Sequence, residues 1–177
     1  MFGLRLKPFI ETERLLLRPP EARDAEAIAA NLNDFSVSSM LSKVPYPYDE
    51  GAAEAFIDHV ETLDPDREQV FVIEHKRSGP VGVIGFSRDA HPWPELGYWL
   101  GRAWWGEGLA TEAAKAALHW AKTEWGKKVV GSGHFASNAA SAGVLIKAGF
   151  LYTGEVRERE SLARGAAQPT RMMVWLA

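Results

Sequence analysis

The stretch ELGYWLGRAWWGEGLATEAAKAALHW, Glu95 to Trp120, constrains the fold more than any other part of the chain. It opens as a strand, ELGYWLG from Glu95 to Gly101. It then passes Gly106 and Gly108 and continues from Leu109 to about Trp125 as an alanine-rich run of helical composition. A strand that feeds a helix through so short a loop is an α/β unit, which excludes a pure β-sandwich and a pure helical bundle. The two glycines pose a question of their own. They serve either a plain turn or a backbone that something must approach closely at a helix start.

The flanking sequence builds a single sheet around this unit. ERLLLRP, Glu13 to Pro19, reads as a first strand closed by Pro19-Pro20. Ala25, Ile28, Ala29 and Leu32 recur at helical spacing, as do Ala53, Phe56, Ile57 and Val60 before Asp64-Pro65. Gln69–His75 and Val81–Ser87 flank Ser78-Gly79-Pro80 as a hairpin, and Glu95–Gly101 is the fourth strand. After the long helix come a strand near Val129 to Phe135, a helix near Asn138 to Ala148 ended by Gly149, and closing strands around Phe150–Arg157 and Arg171–Leu176. The order is βααβββαβαββ, an α/β (α+β) fold in one domain over 1–177 with its core from about 12 onward.

Composition narrows the functional classes. Hydrophobic residues make up 46% and charged residues 24%, ordinary values for a globular chain. No apolar run approaches the roughly 18 residues of a membrane span, and Met1 to Ile10 lacks the apolar core of a signal peptide, so a cytoplasmic location is expected. A net charge of -3 supplies no field to gather nucleic acid or an anionic membrane surface. The chain has no cysteine, which removes disulfides, a thiolate nucleophile and thiolate metal sites. His59, His75, His119 and His134 lack ligand spacing such as HExxH, and no metal is expected. A small molecule or a protein is the expected partner.

A helix start carries unpaired N–H groups and partial positive charge, so the loop from Trp105 to Thr111 reads as an anion site with bare backbone at Gly106 and Gly108. Ala110 and Thr111 keep the first turn small, and Glu107 can turn its side chain to solvent. The spacing fits neither the dinucleotide GxGxxG, which would need glycine where Thr111 stands, nor a P-loop, since no GK[ST] follows.

Four stretches in order, TERLLLRP, PYPYDEGAAEAFI, ELGYWLGRAWWGEGLATEA and SNAASAGVLIKAGF, resemble the GNAT family of N-acetyltransferases, in particular its ribosomal-protein N-terminal alanine and serine acetyltransferase branch. The resemblance implies a mixed, mostly antiparallel sheet splayed between its fourth and fifth strands, with acetyl-CoA in the V-shaped gap. The pantetheine arm would pair with the edge of Tyr98, Trp99 and Leu100. The pyrophosphate would lie on Trp105, Gly106, Glu107, Gly108, Leu109, Ala110 and Thr111. Asn138 would bond the arm, although asparagine is equally a good N-cap for the helix it opens. The family pattern has Gln or Arg where Trp105 stands, and tryptophan is usual in this branch.

The same resemblance assigns roles in the chemistry. An amine protonated near pH 7 must lose its proton before it attacks a thioester, and Glu95 stands where many relatives place the base, with Asp89 and His91 as substitutes or Glu95 as a plain solvated strand end. A backbone N–H near Trp99 or Leu100 would receive the oxyanion. The tyrosine that many relatives carry seven residues after the asparagine is Leu145 here, so Ser141 becomes the candidate donor to the departing thiolate, or simply an exposed first-turn residue. The acceptor would be chosen by Asn33–Glu50 and Arg157–Arg171. The resemblance favours a protein N-terminal α-amine, with a small amine or amino acid as alternative, and it admits a homodimer. Two further readings stay open: Trp93, Trp99, Trp104 and Trp105 as an aromatic platform for a sugar, peptide or base, and a non-catalytic acyl-CoA sensor on the same fold.

Overall fold

The computed structural model describes residues 7–88 and 90–177; of the stretch Met1–Ile10 read above for a leader core, the first six lie outside the described residues, as does Asp89, read above as a substitute base. The elements in chain order are β1 (Ile10–Glu11), β2 (Leu15–Arg18), α1 (Ala25–Leu32), α2 (Phe35–Ser38), α3 (Ala52–Glu61), β3 (Gln69–His75), β4 (Gly79–Ser87), β5 (Glu95–Leu100), α4 (Leu109–Thr123), β6 (Val129–Phe135), α5 (Ala139–Ala148), β7 (Leu151–Ser161) and β8 (Ala166–Leu176). All eight strands form one sheet in the order β1-β2-β3-β4-β5-β6-β8-β7.

Every ladder is antiparallel except β5–β6, which is parallel and registers only at Glu95↔Gly131. Beyond that pair the two strands part. This is the expected splay, carried by β5 and β6 because the short β1 precedes the strands read from sequence.

Three differences from the sequence reading have physical causes. β1 pairs Ile10↔Leu17 and Glu11↔Leu16 across a turn closed by Thr12 N–H to Leu15 O at 2.9 Å, a bridge too short to show a period. α2 is one turn, nucleated by Asp34, whose carboxylate accepts from Ser36 N–H. The closing strands are longer than expected. β7 runs on to Ser161 and β8 starts at Ala166, so most of Arg157–Arg171, read as an acceptor-selecting segment, is hairpin ladder. β7 is an edge strand exposed along most of its length, and its VRERES run carries the charges that protect such edges instead of an apolar alternation.

The sheet is the middle of three layers. On one face α4 and α5 bury Leu109, Ala113, Ala117, Leu118 and Leu145 against Leu15, Phe71, Ile84, Leu96 and Met173. On the other, α1 and α3 bury Ile28, Leu32, Ala53 and Ile57 around Val83, with Trp99 packed at the margin. Arg18 of β2 ties the sheet to the segment that leads into α1. Its guanidinium, 2% exposed, bonds Asp24 through two oxygens at 2.7 and 2.8 Å and also meets Glu74. The Arg18 guanidinium and backbone N–H bonds hold the Asp24 carboxyl below its ordinary range, against the burial that would raise it.

Candidate active site

The gap is built by backbone geometry first. Gly101 N–H donates to Val81 O at 2.9 Å, which fixes the phase of the β4–β5 ladder. Alternate residues of a strand send their backbone groups to the same side. Gly97 and Trp99 therefore face β4, and Leu96, Tyr98 and Leu100 face β6. At the closed end Gly131 N–H reaches Pro94 O at 2.9 Å, and Ser132 Oγ caps Leu96 O at 2.9 Å. From there β6 has diverged, and the N–H and C=O of Tyr98 and the N–H of Leu100 point into the opening. Trp99 corrects the sequence reading: its backbone belongs to β4 and its indole to the core beside α1 and α3.

Trp105 closes this edge. Its indole Nε1 donates to Leu100 O at 2.9 Å, while nearly half its surface stays exposed. The four tryptophans do not form a platform. Trp93 stacks on His91 with centroids 4.6 Å apart, Trp104 stacks on His75, Trp99 packs in the second core, and Trp105 caps the strand.

At the open end of the gap the glycine loop leads into α4. Gly106 and Gly108 both have φ 78°, a conformation that side chains other than glycine rarely adopt. Gly108 is the N-cap and has no side chain to satisfy the first turn. The first helical bond runs from Glu112 N–H to Gly108 O at 3.0 Å, so the N–H groups of Leu109, Ala110 and Thr111 precede the ladder. Leu109 is buried, whereas Gly106, Glu107 and Gly108 are exposed. A Cβ at Gly106 would meet nothing within 4 Å, and one at Gly108 would meet only Arg14 Nη2 at 3.7 Å. Backbone conformation, rather than crowding within the chain, is what demands glycine here.

A latch missed from sequence holds the loop. Arg14 Nη1 donates to Glu107 O at 2.9 Å, and its Nε meets Glu112 Oε2 at 2.7 Å. Glu112 Oε1 accepts from Thr12 Oγ1 at 2.7 Å and Arg14 N–H at 2.9 Å. These bonds overcome partial burial and keep the Glu112 carboxyl below its ordinary range. Arg14 and Glu112 lie far apart in the chain, and no local spacing announces the pair.

The other wall is the first turn of α5. Asn138 caps the helix, its Oδ1 accepting Ser141 N–H at 3.1 Å. Ser141 Oγ lies 2.8 Å from Tyr98 Oη. Burial pushes the Tyr98 phenol up to about 12, against a lowering by the Ser141 bond.

Glu95, at the closed end, is not a free carboxylate. Both its oxygens accept from Arg159 of β7, one of them from Nη2 at 2.8 Å. Beside it Arg157 Nη2 stands 2.5 Å from His91 Nε2. A cavity of about 30 Å³, room for one water, is lined by His91, Trp93, Glu95, Gly131 and Glu155 among others. The structure thus brings Tyr98, Leu100, Trp105, the glycine loop, Asn138 and Ser141 to the open side of the splay. Glu95 stands at its closed end, in an arginine pair that no sequence signal foretold.

The sheet opens between two parallel strands, and the N-terminus of α4 stands at the mouth of the opening. The family model for the acetyltransferase (GNAT) domain matches residues 14–151, and the chain belongs to that family, the acetyl-CoA-dependent acetyltransferases. Among similar proteins, Probable N-acetyltransferase YjcK of Bacillus subtilis (strain 168) is 29% identical over 157 residues, covering 84% of this chain and 87% of its own length. The fold matches that of RimL, a ribosomal L7/L12 alpha-N-protein acetyltransferase solved with coenzyme A, at TM-score 0.81 and 17% identity, over 96% of this chain and 98% of that one. It also matches spermidine N-acetyltransferase from Vibrio cholerae, solved with CoA and spermine, at TM-score 0.77 and 20% identity, over 93% of this chain and 96% of that one. No helix among the described residues is long and apolar enough to cross a membrane.

Proposed function

We propose that the chain moves the acetyl group of acetyl-CoA directly to a primary amine, and that the amine is a protein N-terminal α-amine. The observation that carries the reading is the parting of β5 and β6 after Glu95↔Gly131, with the α4 N-terminus at its open end. The cleft suits the cofactor in two parts. The pantetheine amides pair with Tyr98 and Leu100 as an added strand would. The pyrophosphate takes the N–H groups from Gly106 to Thr111, with Leu109 contributing backbone only.

In the reaction, an uncharged amine attacks the acetyl carbon. The developing oxyanion is received by the N–H of Tyr98 or Leu100, which replaces Trp99 in that role. Ser141 donates a hydrogen bond to the departing sulfur. Glu95 takes the amine's proton, directly or through a water, after partial release from Arg159. With no cysteine in the chain, no acetyl-cysteine forms and both substrates are bound together.

The Glu95–Arg159 pair favours the α-amine. A carboxylate held at both oxygens is a constrained base. An α-amine, with a pKa of about 7.7–8.0, is roughly one-tenth uncharged at pH 7, against well below one-thousandth for a lysine-type amine near 10.4. A small polyamine is the second reading, motivated by the Vibrio cholerae spermidine enzyme's fold. The test is CoA release from acetyl-CoA with peptides bearing free α-amines, with N-blocked lysine peptides and with polyamines. Turnover confined to polyamines refutes the α-amine assignment, and no turnover with any amine refutes transfer.

A further inference from the structure

We infer that the Tyr98 side chain is a positioning residue for acetyl transfer, its phenol donating to Ser141 Oγ and so directing the serine's own hydrogen toward the departing sulfur. The inference rests on the acetyl-transfer reading and adds to it a residue for which only backbone contacts were expected.

The two hydroxyls come from opposite walls of the gap. Tyr98 sits on β5, where its backbone faces the opening, and Ser141 sits in the first turn of α5, the helix that follows β6. Their oxygens are 2.8 Å apart, the ordinary length of a good O–H···O bond. A longer contact, 3.3 Å, runs from Tyr98 Oη to the Ser141 carbonyl. Ser141 cannot drift, because its N–H is held by Asn138 Oδ1 at 3.1 Å. The pair is therefore a fixed link across the cleft mouth.

Two arrangements of the hydrogens are possible, and acidity chooses between them. A phenol is a far stronger acid than an alcohol, so the phenol donates and the serine oxygen accepts along the 2.8 Å contact. A serine hydroxyl has one hydrogen and two lone pairs. With a lone pair filled by the phenol, its hydrogen is left for a third group, and a chain of such bonds strengthens each donor in turn. In the reverse arrangement the serine hydrogen is used up on the phenol, and Ser141 could only accept.

Tyr98 does not give up its proton. Burial pushes its phenol up to about 12, while an ordinary thiol loses its proton near about 8.5, so transfer from Tyr98 to the thiolate is uphill. The balance of the step is then complete without it. The amine nitrogen bonds the acetyl carbon, the C–S bond breaks with its electron pair on sulfur, and the amine's surplus proton goes to Glu95 or water. Ser141 O–H stabilises the thiolate by hydrogen bonding, and the thiolate later takes its proton from solvent.

The test compares Tyr98→Phe, Ser141→Ala and the double variant, using the amine that gives the best wild-type turnover. Phenylalanine keeps the ring and its packing, and thermal melting checks that the variants remain folded. Each single change is expected to lower kcat about tenfold or more, with acetyl-CoA Kd by calorimetry within about twofold of wild type. Because Tyr98 acts only through Ser141, the double variant is expected to be no slower than Ser141→Ala. An acetyl thioester of an aromatic thiol, a better leaving group, should shrink the loss in both single variants. Unaltered kcat in Tyr98→Phe, losses that multiply in the double variant, or a loss seen only in acetyl-CoA affinity would each overturn the inference. A wild-type chain that releases no CoA with any amine overturns acetyl transfer and this inference together. An active wild type with an unaffected Tyr98→Phe overturns this inference alone.

Discussion

Replacing Gly108 tests the cleft at its most exposed backbone position. At φ 78° a side chain costs about 1–2 kcal/mol relative to glycine, and the surroundings add nothing, since the nearest atom to a new Cβ is Arg14 Nη2 at 3.7 Å. Gly108→Ala should therefore lower stability by about 1–2 kcal/mol, which in a chain of 177 residues is a fall of roughly 2–8 °C in Tm. Gly108→Val should cost more, because branching at Cβ fits the left-handed region poorly. Binding should suffer further. If the loop escapes the strain by rotating, the N–H groups at the head of α4 turn away, and loss of one hydrogen bond to a charged phosphate is worth about 1.5–3 kcal/mol. That is tenfold or more in acetyl-CoA Kd. Gly143 is the control: it lies within α5 at an ordinary φ with nothing within 4 Å of an added Cβ, so Gly143→Ala should be neutral or stabilising by up to about 1 kcal/mol. Melting by circular dichroism and titration calorimetry on the same samples separate the two effects. A folded Gly108→Val that binds acetyl-CoA as tightly as wild type would refute the pyrophosphate assignment.

Three other outcomes follow from the same geometry. Acetyl-CoA at about 100 times its Kd should stabilise the fold by roughly 2.7 kcal/mol in thermal or urea unfolding, with NAD and ATP giving much less; equal effects from all three would remove CoA specificity. Glu95→Gln should slow turnover with acetyl-CoA affinity unchanged, and the deficit should narrow at high pH, where more amine is already uncharged; equal rates for both proteins across pH would take Glu95 out of the reaction. Asp24 has a depressed carboxyl in the fold, so the stability it supplies is present above the unfolded value of about 3.9 and is lost as pH falls through its lower folded value. Urea midpoints should accordingly drop below about pH 4, and Asp24→Asn, which leaves buried Arg18 short of charge, should cost about 3–5 kcal/mol at pH 7 and show a flatter acid limb.

The elements legible in the linear chain are those where it is locally consistent. Gln69–His75 is a strand with an apolar run buried at its centre, Leu109–Thr123 is alanine-rich, and Asn138 and Gly149 bracket α5, so propensity, pattern and capping agree there. The glycine loop was legible for the same reason, because positive φ at Gly106 and Gly108 is a property of backbone alone. Strand pairing and long-range packing set the rest. Strand phase turned Trp99 away from the gap and Tyr98 toward it, and phase is set by pairing with β4, not by the strand's own residues. The length of β7 was hidden because an exposed edge strand needs no apolar alternation. The Arg159 hold on Glu95, the Arg14 latch on Glu107 and Glu112, and the Tyr98–Ser141 link each join residues remote in sequence. Their energies depend on distances that a linear pattern does not encode, and the fold brings those groups within hydrogen-bond reach.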